Sequence, residues 1–122
     1  TDATQLAISC FHLEALLQSH NQVLDRCFMD VVVYSAYMAD IEDITYRYIE
    51  DTWNRIKNEY THYIYSPIEF DSVDDGTRSV DEKWRKKIDT KFVEVLKGIR
   101  QPYLTVTGSP MQRVEQILKF IN

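Results

Sequence analysis

The alternation of apolar and polar positions along the 122-residue chain predicts helices interleaved with short strands. In "TDATQLAISCFHLEALLQSH" the residues Leu6, Cys10, Leu13 and Leu17, with Phe11 and Leu16 beside them, recur at helical spacing, and Asp2 or Thr4 can cap the start. "QVLD", residues 22–25, is short and apolar after the turn-forming His20-Asn21, which predicts a buried strand. "FMDVVVYSAYMAD" has the valines of a strand, but its length and the spacing of Phe28, Val32, Tyr34 and Met38 favour a helix. A second helix follows in "IEDITYRYIEDTWNRIKNEY". There Ile41, Ile44, Tyr48, Ile49, Trp53, Ile56 and Tyr60 form one face, while Glu42, Asp43, Arg47, Glu50, Asp51 and Arg55 face water.

Farther on, "THYIYSPI" is β-branched and aromatic and stops at Pro67, as a strand does. "EFDSVDDGTRSVDEKWRKK" is polar and rich in turn formers, with Asp75-Gly76 the sharpest signal, and predicts a surface loop leading into a helix of about residues 80–99. Trp84, Ile88, Phe92, Val95 and Leu96 lie on that helix's apolar side. After Gly98 and Pro102, "YLTVTG" predicts a third strand, and "SPMQRVEQILKFIN" a closing helix with Ser109 as N-cap and Pro110 at the first helical position. Strands alternating with helices of this length imply an α/β fold in which a parallel sheet carries helices on both faces. Three strands are few for such a sheet, which usually has about five. The sheet is therefore expected to be small, or incomplete at the N-terminus. No internal repeat or low-complexity segment divides residues 1–122, which read as a single partial domain.

Charge and composition remove several function classes. A net charge of −5 argues against gripping nucleic acid or an anionic membrane through bulk charge, because phosphate binding needs a positive field. Phosphate contacts must then come from a few placed arginines. No apolar run approaches the roughly 20 residues that span a bilayer. Cys10 and Cys27 have no metal-type spacing and follow no leader peptide, so they are expected to be buried thiols in a reducing cytoplasm. His12, His20 and His62 are scattered, which supports neither a metal site nor a catalytic triad.

Three stretches carry candidate chemistry. "VLDRCFMDVVVYSAYM" resembles the Asp-Arg motif of the P-loop nucleoside and nucleotide kinases, in which a strand ends in Asp-Arg and a helix of the form x-x-x-Asp-x-x-x-Tyr-x-x-Tyr follows. "YIYSPIEFDSVDDGTRSVDEKWRKKIDTKFVEVL" is similar to the strand, lid and lid-following helix of that family, with the lid at about residues 71–87. "YLTVTGSPMQRVEQIL" resembles its last strand, the loop beside the adenine and a helix bearing an arginine. The match is best to the compact AAA-type kinases often encoded by bacteriophages, and it covers about residues 21–122. One part of the family pattern is missing. A phosphate loop needs G-x-x-x-x-G-K-[ST], because successive backbone N–H groups and a lysine surround the phosphates, and Gly76, Gly98 and Gly108 are the only glycines. Residues 1–122 thus resemble the C-terminal two-thirds of such a kinase, and a P-loop segment is expected from the same polypeptide or a partner chain.

The resemblance gives each motif a role. It implies that Asp25 stands at a strand's carboxyl end, holding a Mg²⁺-bound water or assisting the acceptor hydroxyl, and that Arg26 clamps the acceptor's phosphate or positions its sugar. Read without it, the pair caps the next helix and meets neighbouring charges. Asp30 either faces the acceptor or favours the helix N-terminus electrostatically. Tyr34 and Tyr37 either flank the acceptor or belong to the core. Arg78 and Arg85 match lid arginines that close over the phosphates, or else form a solvated basic face. Gly108 and Ser109 would lie against adenine, with Arg113 reaching the base or ribose or simply facing solvent. ATP and Mg²⁺ are the implied cofactors and a nucleoside or nucleotide the implied substrate. A second reading makes the chain a non-catalytic binding module derived from a kinase fold. An unpaired sheet edge would favour self-association in either case.

Overall fold

The computed structural model describes residues 1–18, 21–67 and 82–122. The elements follow the order α1 (Asp2–Gln18), α2 (Phe28–Ser35), α3 (Asp43–Ile56), β1 (Tyr63–Tyr65), α4 (Glu82–Leu96), β2 (Tyr103–Thr105) and α5 (Pro110–Ile121). The chain divides into two compact units, Thr1–Tyr60 and Thr61–Asn122.

In the first unit, α1 and α3 both pack on α2 and on each other. The valine-rich stretch forms a helix because it is buried on nearly every side, with Phe28, Met29, Val31, Val32, Val33 and Ser35 all withdrawn from water. Ile49 and Trp53 of α3 complete the core, one turn apart on one face. Two expectations about side-chain facing need correction. The buried residues of α1 are Gln5 and Ser9 rather than its leucines, while Phe11 and Leu17 are 66% and 80% exposed. Polar pairing decides this: the Ser35 hydroxyl donates to Gln5 Oε1 at 3.1 Å, and the Ser9 hydroxyl bonds the Leu6 carbonyl at 2.7 Å. Asp2 does not cap its own helix but the start of α3, accepting from the Glu42 amide at 3.2 Å and the Thr45 hydroxyl at 2.6 Å. Ile44 and Tyr48 are likewise exposed, because Thr45, Ile49 and Trp53 present the buried face of α3.

The strand expected at residues 22–25 is absent. Those residues are irregular, Gln22, Val23 and Asp25 are exposed, and no described strand offers their backbone a ladder.

The second unit is built on one parallel pair. β1 and β2 align with Tyr63 opposite Tyr103, Ile64 opposite Leu104 and Tyr65 opposite Thr105. The ladder reaches one residue farther at each end through Tyr63 N–H to the Pro102 carbonyl (3.1 Å) and Val106 N–H to the Tyr65 carbonyl (2.9 Å). Parallel pairing demands a crossover, which here includes α4. Tyr65 donates its hydroxyl to Asp89, tying α4 to the end of β1. α5 runs antiparallel to β1: Arg113 meets Ser66 beyond the strand's carboxyl end, and the Phe120 ring sits edge-on to His62 before its start, centroids 5.2 Å apart. Seven helical residues rise about 10 Å, close to the length of four extended ones. The described fold is therefore mostly helical with a two-stranded parallel sheet, and the wider sheet with helices on both faces is not seen among the described residues.

Candidate functional site

The Asp25-Arg26 pair lies in a bend that enters α2, not at the end of a strand. Arg26 adopts a left-handed backbone with φ of 71°, a conformation that costs a non-glycine residue about 1–2 kcal/mol. Asp30 holds it there. Its Oδ2 accepts from the Cys27 amide at 2.9 Å, closing the helix N-terminus, and its Oδ1 receives Arg26 Nη1 at 3.3 Å. Asp30 thus supports the bend through both of its oxygens. Asp25 is exposed and pairs with no described residue. Tyr34 and Tyr37 are half-buried at and just beyond the end of α2.

Behind the bend, the Tyr60 hydroxyl accepts from the Phe28 amide at 3.1 Å. Burial pushes its pKa up to about 12, partly offset by that bond, with nearby Cys27 and Asp30 adding to the rise. Cys27 sits at a helix N-terminus, where thiols are often activated. Burial overrides that field and pushes its pKa up to about 12 against the lowering influence of the Met29 and Asp30 amides. Cys27 is an inert thiol. Cys10, expected to be buried, is exposed.

In the second unit the carboxyl ends of both strands lie side by side, and α5 draws their loops together. Ser109 caps α5 as the sequence predicts: its hydroxyl accepts from Gln112 N–H at 3.2 Å while Gln112 Oε1 accepts from Ser109 N–H at 2.8 Å. Gly108 has φ of 92°, a backbone conformation that strains any residue with a Cβ, and a Cβ there would also displace the Gln112 Oε1 that caps the loop. Arg113 donates Nε to the Gly108 carbonyl at 2.9 Å and Nη1 to the Ser66 hydroxyl at 2.5 Å. Gln116 bonds both backbone groups of Thr107, at 3.0 and 2.9 Å. Arg85 lies in the first turn of α4 and bonds both oxygens of Glu82, at 2.9 and 3.2 Å. Arg78 and most of the expected lid lie outside the described residues. Sequence reasoning missed Gln112, Gln116 and the Tyr65–Asp89 link. The Ser-x-x-Gln spacing signals Gln112, whereas nothing local marks the others.

Among the described residues no group of three or more acidic, cysteine or histidine side chains could hold a metal ion. Asp25 offers one exposed carboxylate, and Mg²⁺ needs only one or two from a protein when waters and phosphates fill its other positions. Nor do residues 1–122 contain the glycine-rich lysine loop that surrounds nucleotide phosphates.

A parallel pair joined by a helical crossover, with a glycine loop at its carboxyl ends, is the arrangement in which α/β nucleotide-binding folds place ligands. A family model for an AAA domain matches residues 4–113, and the chain belongs to that family, which is of P-loop NTPase type. AAA-type domains generally bind ATP and Mg²⁺. No curated protein and no solved structure matches the chain. No described helix is long and apolar enough to cross a membrane.

Proposed function

We propose that the chain forms part of a nucleoside or nucleotide kinase, which transfers the ATP γ-phosphate to its acceptor when a P-loop segment completes it. The observation that carries this reading is the AAA-domain match over residues 4–113, which spans both the Asp25-Arg26 bend and the glycine loop after β2. Phosphoryl transfer is mainly positioning and charge neutralisation, so exposed, pre-oriented arginines are the side chains it needs. Arg26, held at a fixed backbone angle and 65% exposed, serves the acceptor's phosphate or sugar. Asp25 is an exposed carboxylate beside it, suited to the acceptor hydroxyl. Gly108 and Ser109 serve the adenine side, and Arg85, with Arg78, the lid. The phosphate cradle comes from the P-loop segment, in the same polypeptide or in a partner chain.

One observation favours the second reading, a non-catalytic interaction module. Met111, Val114, Leu118 and Ile121 are 78%, 54%, 51% and 41% exposed and form an apolar stripe along α5. The test is to incubate the full-length gene product with γ-labelled ATP, Mg²⁺ and a panel of nucleosides and nucleoside monophosphates. Label appearing in one acceptor, and lost in Arg26→Ala, is the expected result. A preparation that binds ATP yet labels no acceptor sinks the kinase reading and leaves the interaction module.

A further inference from the structure

α5 turns polar side chains toward its own unit and an apolar stripe toward water. None of its residues is buried. Arg113 and Gln116 are half-buried and bonded to Gly108, Ser66 and Thr107, while Met111, Val114, Leu118 and Ile121 lie on the opposite side of the helix, exposed. A two-sided helix ordinarily buries its apolar stripe, so a stripe left outside marks a contact surface.

The pattern of the stripe names its occupant. From Met111 to Ile121 the steps are three, four and three residues, which read the same in either direction. Laid against a second copy running the opposite way, with a two-fold axis level with residue 116, the stripe sets Met111 beside the partner's Ile121 and Val114 beside the partner's Leu118. Such an axis also brings like flanks together. Glu115 and Lys119 are exposed and lie one turn apart on the same flank, so each Glu115 comes within about 3 Å, measured along the axis, of the partner's Lys119. The two Glu115 carboxylates approach each other as well, and the two lysines offset them. The facing flanks therefore sum to zero charge, and the helix dipoles oppose each other favourably. A parallel pair brings unlike flanks together and gives neither charge this partner.

We infer that α5 is a self-recognition helix, through which two copies of the chain form an antiparallel, two-fold dimer. This goes beyond both readings of the chain's function, since a kinase and an interaction module can each dimerise. The surface is small. With exposures from 41% to 78%, the four side chains and their flanks cover about 400 Å² a side, half the roughly 800 Å² of a stable complex. The dimer is accordingly a weak one, dependent on concentration.

The test is sedimentation velocity on the full-length gene product from about 5 to 500 µM, a range in which mass action carries a weak dimer from scarce to dominant. Wild type is expected to reach twice its monomer mass with a Kd on the order of 50 µM. Leu118→Asp, which puts a charge in the middle of the stripe, should stay monomeric throughout, with the wild-type melting temperature at the lowest concentration. Glu115→Lys and Lys119→Glu should each raise Kd about tenfold, whereas an equimolar mixture of the two should associate at least as tightly as wild type, because every facing pair is then of opposite sign. A wild type that remains monomeric overturns the inference, as does a dimer indifferent to Leu118→Asp. A monomeric wild type whose melting temperature falls in Leu118→Asp overturns it by showing that the stripe packs within its own polypeptide. A mixture no tighter than its components overturns the antiparallel pairing. None of these outcomes involves ATP, so the kinase reading is judged separately by its labelling assay.

Discussion

Arg26→Gly and Arg26→Ala delete the same guanidinium and the same contact with Asp30, and differ only in a Cβ at a position where φ is 71°. The ion pair is worth little. Arg26 is 65% exposed and the separation is 3.3 Å, so its loss costs about 0.3 kcal/mol in either variant. Alanine keeps the left-handed penalty of about 1–2 kcal/mol, which glycine escapes, although glycine's freer unfolded chain takes back about 0.5–1 kcal/mol. Glycine should therefore be the more stable variant by about 0.5–1 kcal/mol, roughly 3–6 °C in Tm for a unit of this size. Both should lose phosphoryl transfer alike, on the order of 10²-fold in kcat/KM for the acceptor, because the guanidinium is missing from each. Paired thermal melts and acceptor titrations read the two effects separately. An alanine variant as stable as the glycine variant refutes the strained bend, and wild-type turnover in either refutes the role of Arg26 as acceptor grip.

Three further outcomes follow from the geometry. Ellman's reagent at pH 8 should label exposed Cys10 quickly and Cys27 only on unfolding; rapid labelling of both would show that the N-terminus of α2 is open. Because Cys27 titrates near 12 in the fold against an ordinary 9.0, its contribution to stability is complete below pH 9 and falls as pH rises toward 12. Urea melts across that range should slope downward, and a flat profile would contradict the burial of the thiol. Asp89 is pushed above the ordinary carboxylate range by burial, while the Tyr65 hydroxyl favours its charged form. Tyr65→Phe should raise its pKa further, so the variant's loss of stability is small in acid and grows as pH rises through the folded pKa. Equal losses at all pH values would mean the hydroxyl does not serve the carboxylate.

Elements whose stability is local were legible in the sequence. The Ser109-Pro110 start of α5 and its capping glutamine need no distant partner, and they stand where residue type and spacing put them. β1 and β2 stand where aromatic and β-branched runs meet Pro67 and Gly108. Facing was less legible than existence. α1 buries Gln5 because Ser35 supplies a buried partner from another helix, and Ser9 because its hydroxyl turns back onto the Leu6 carbonyl, neither of which periodicity can see. The segment 22–25 carries strand-like residues, but a strand is made by its neighbour, and no described neighbour is there. At the candidate site, the N-cap role of Ser109 could be read directly. The left-handed backbone of Arg26 could not, since nothing in "LDRC" announces a positive φ at an arginine. Gln116 was invisible because its role depends on α5 lying antiparallel to β1, a property of packing.

The most direct test is a crystal structure of the full-length gene product with a non-hydrolysable ATP analogue, Mg²⁺ and the acceptor its assay identifies. The expected result has the purine within about 4 Å of Gly108 and the acceptor's phosphate or sugar against the Arg26 guanidinium. A nucleotide bound away from the Thr107–Ser109 loop, with Arg26 turned from the acceptor, would contradict the account at both ends.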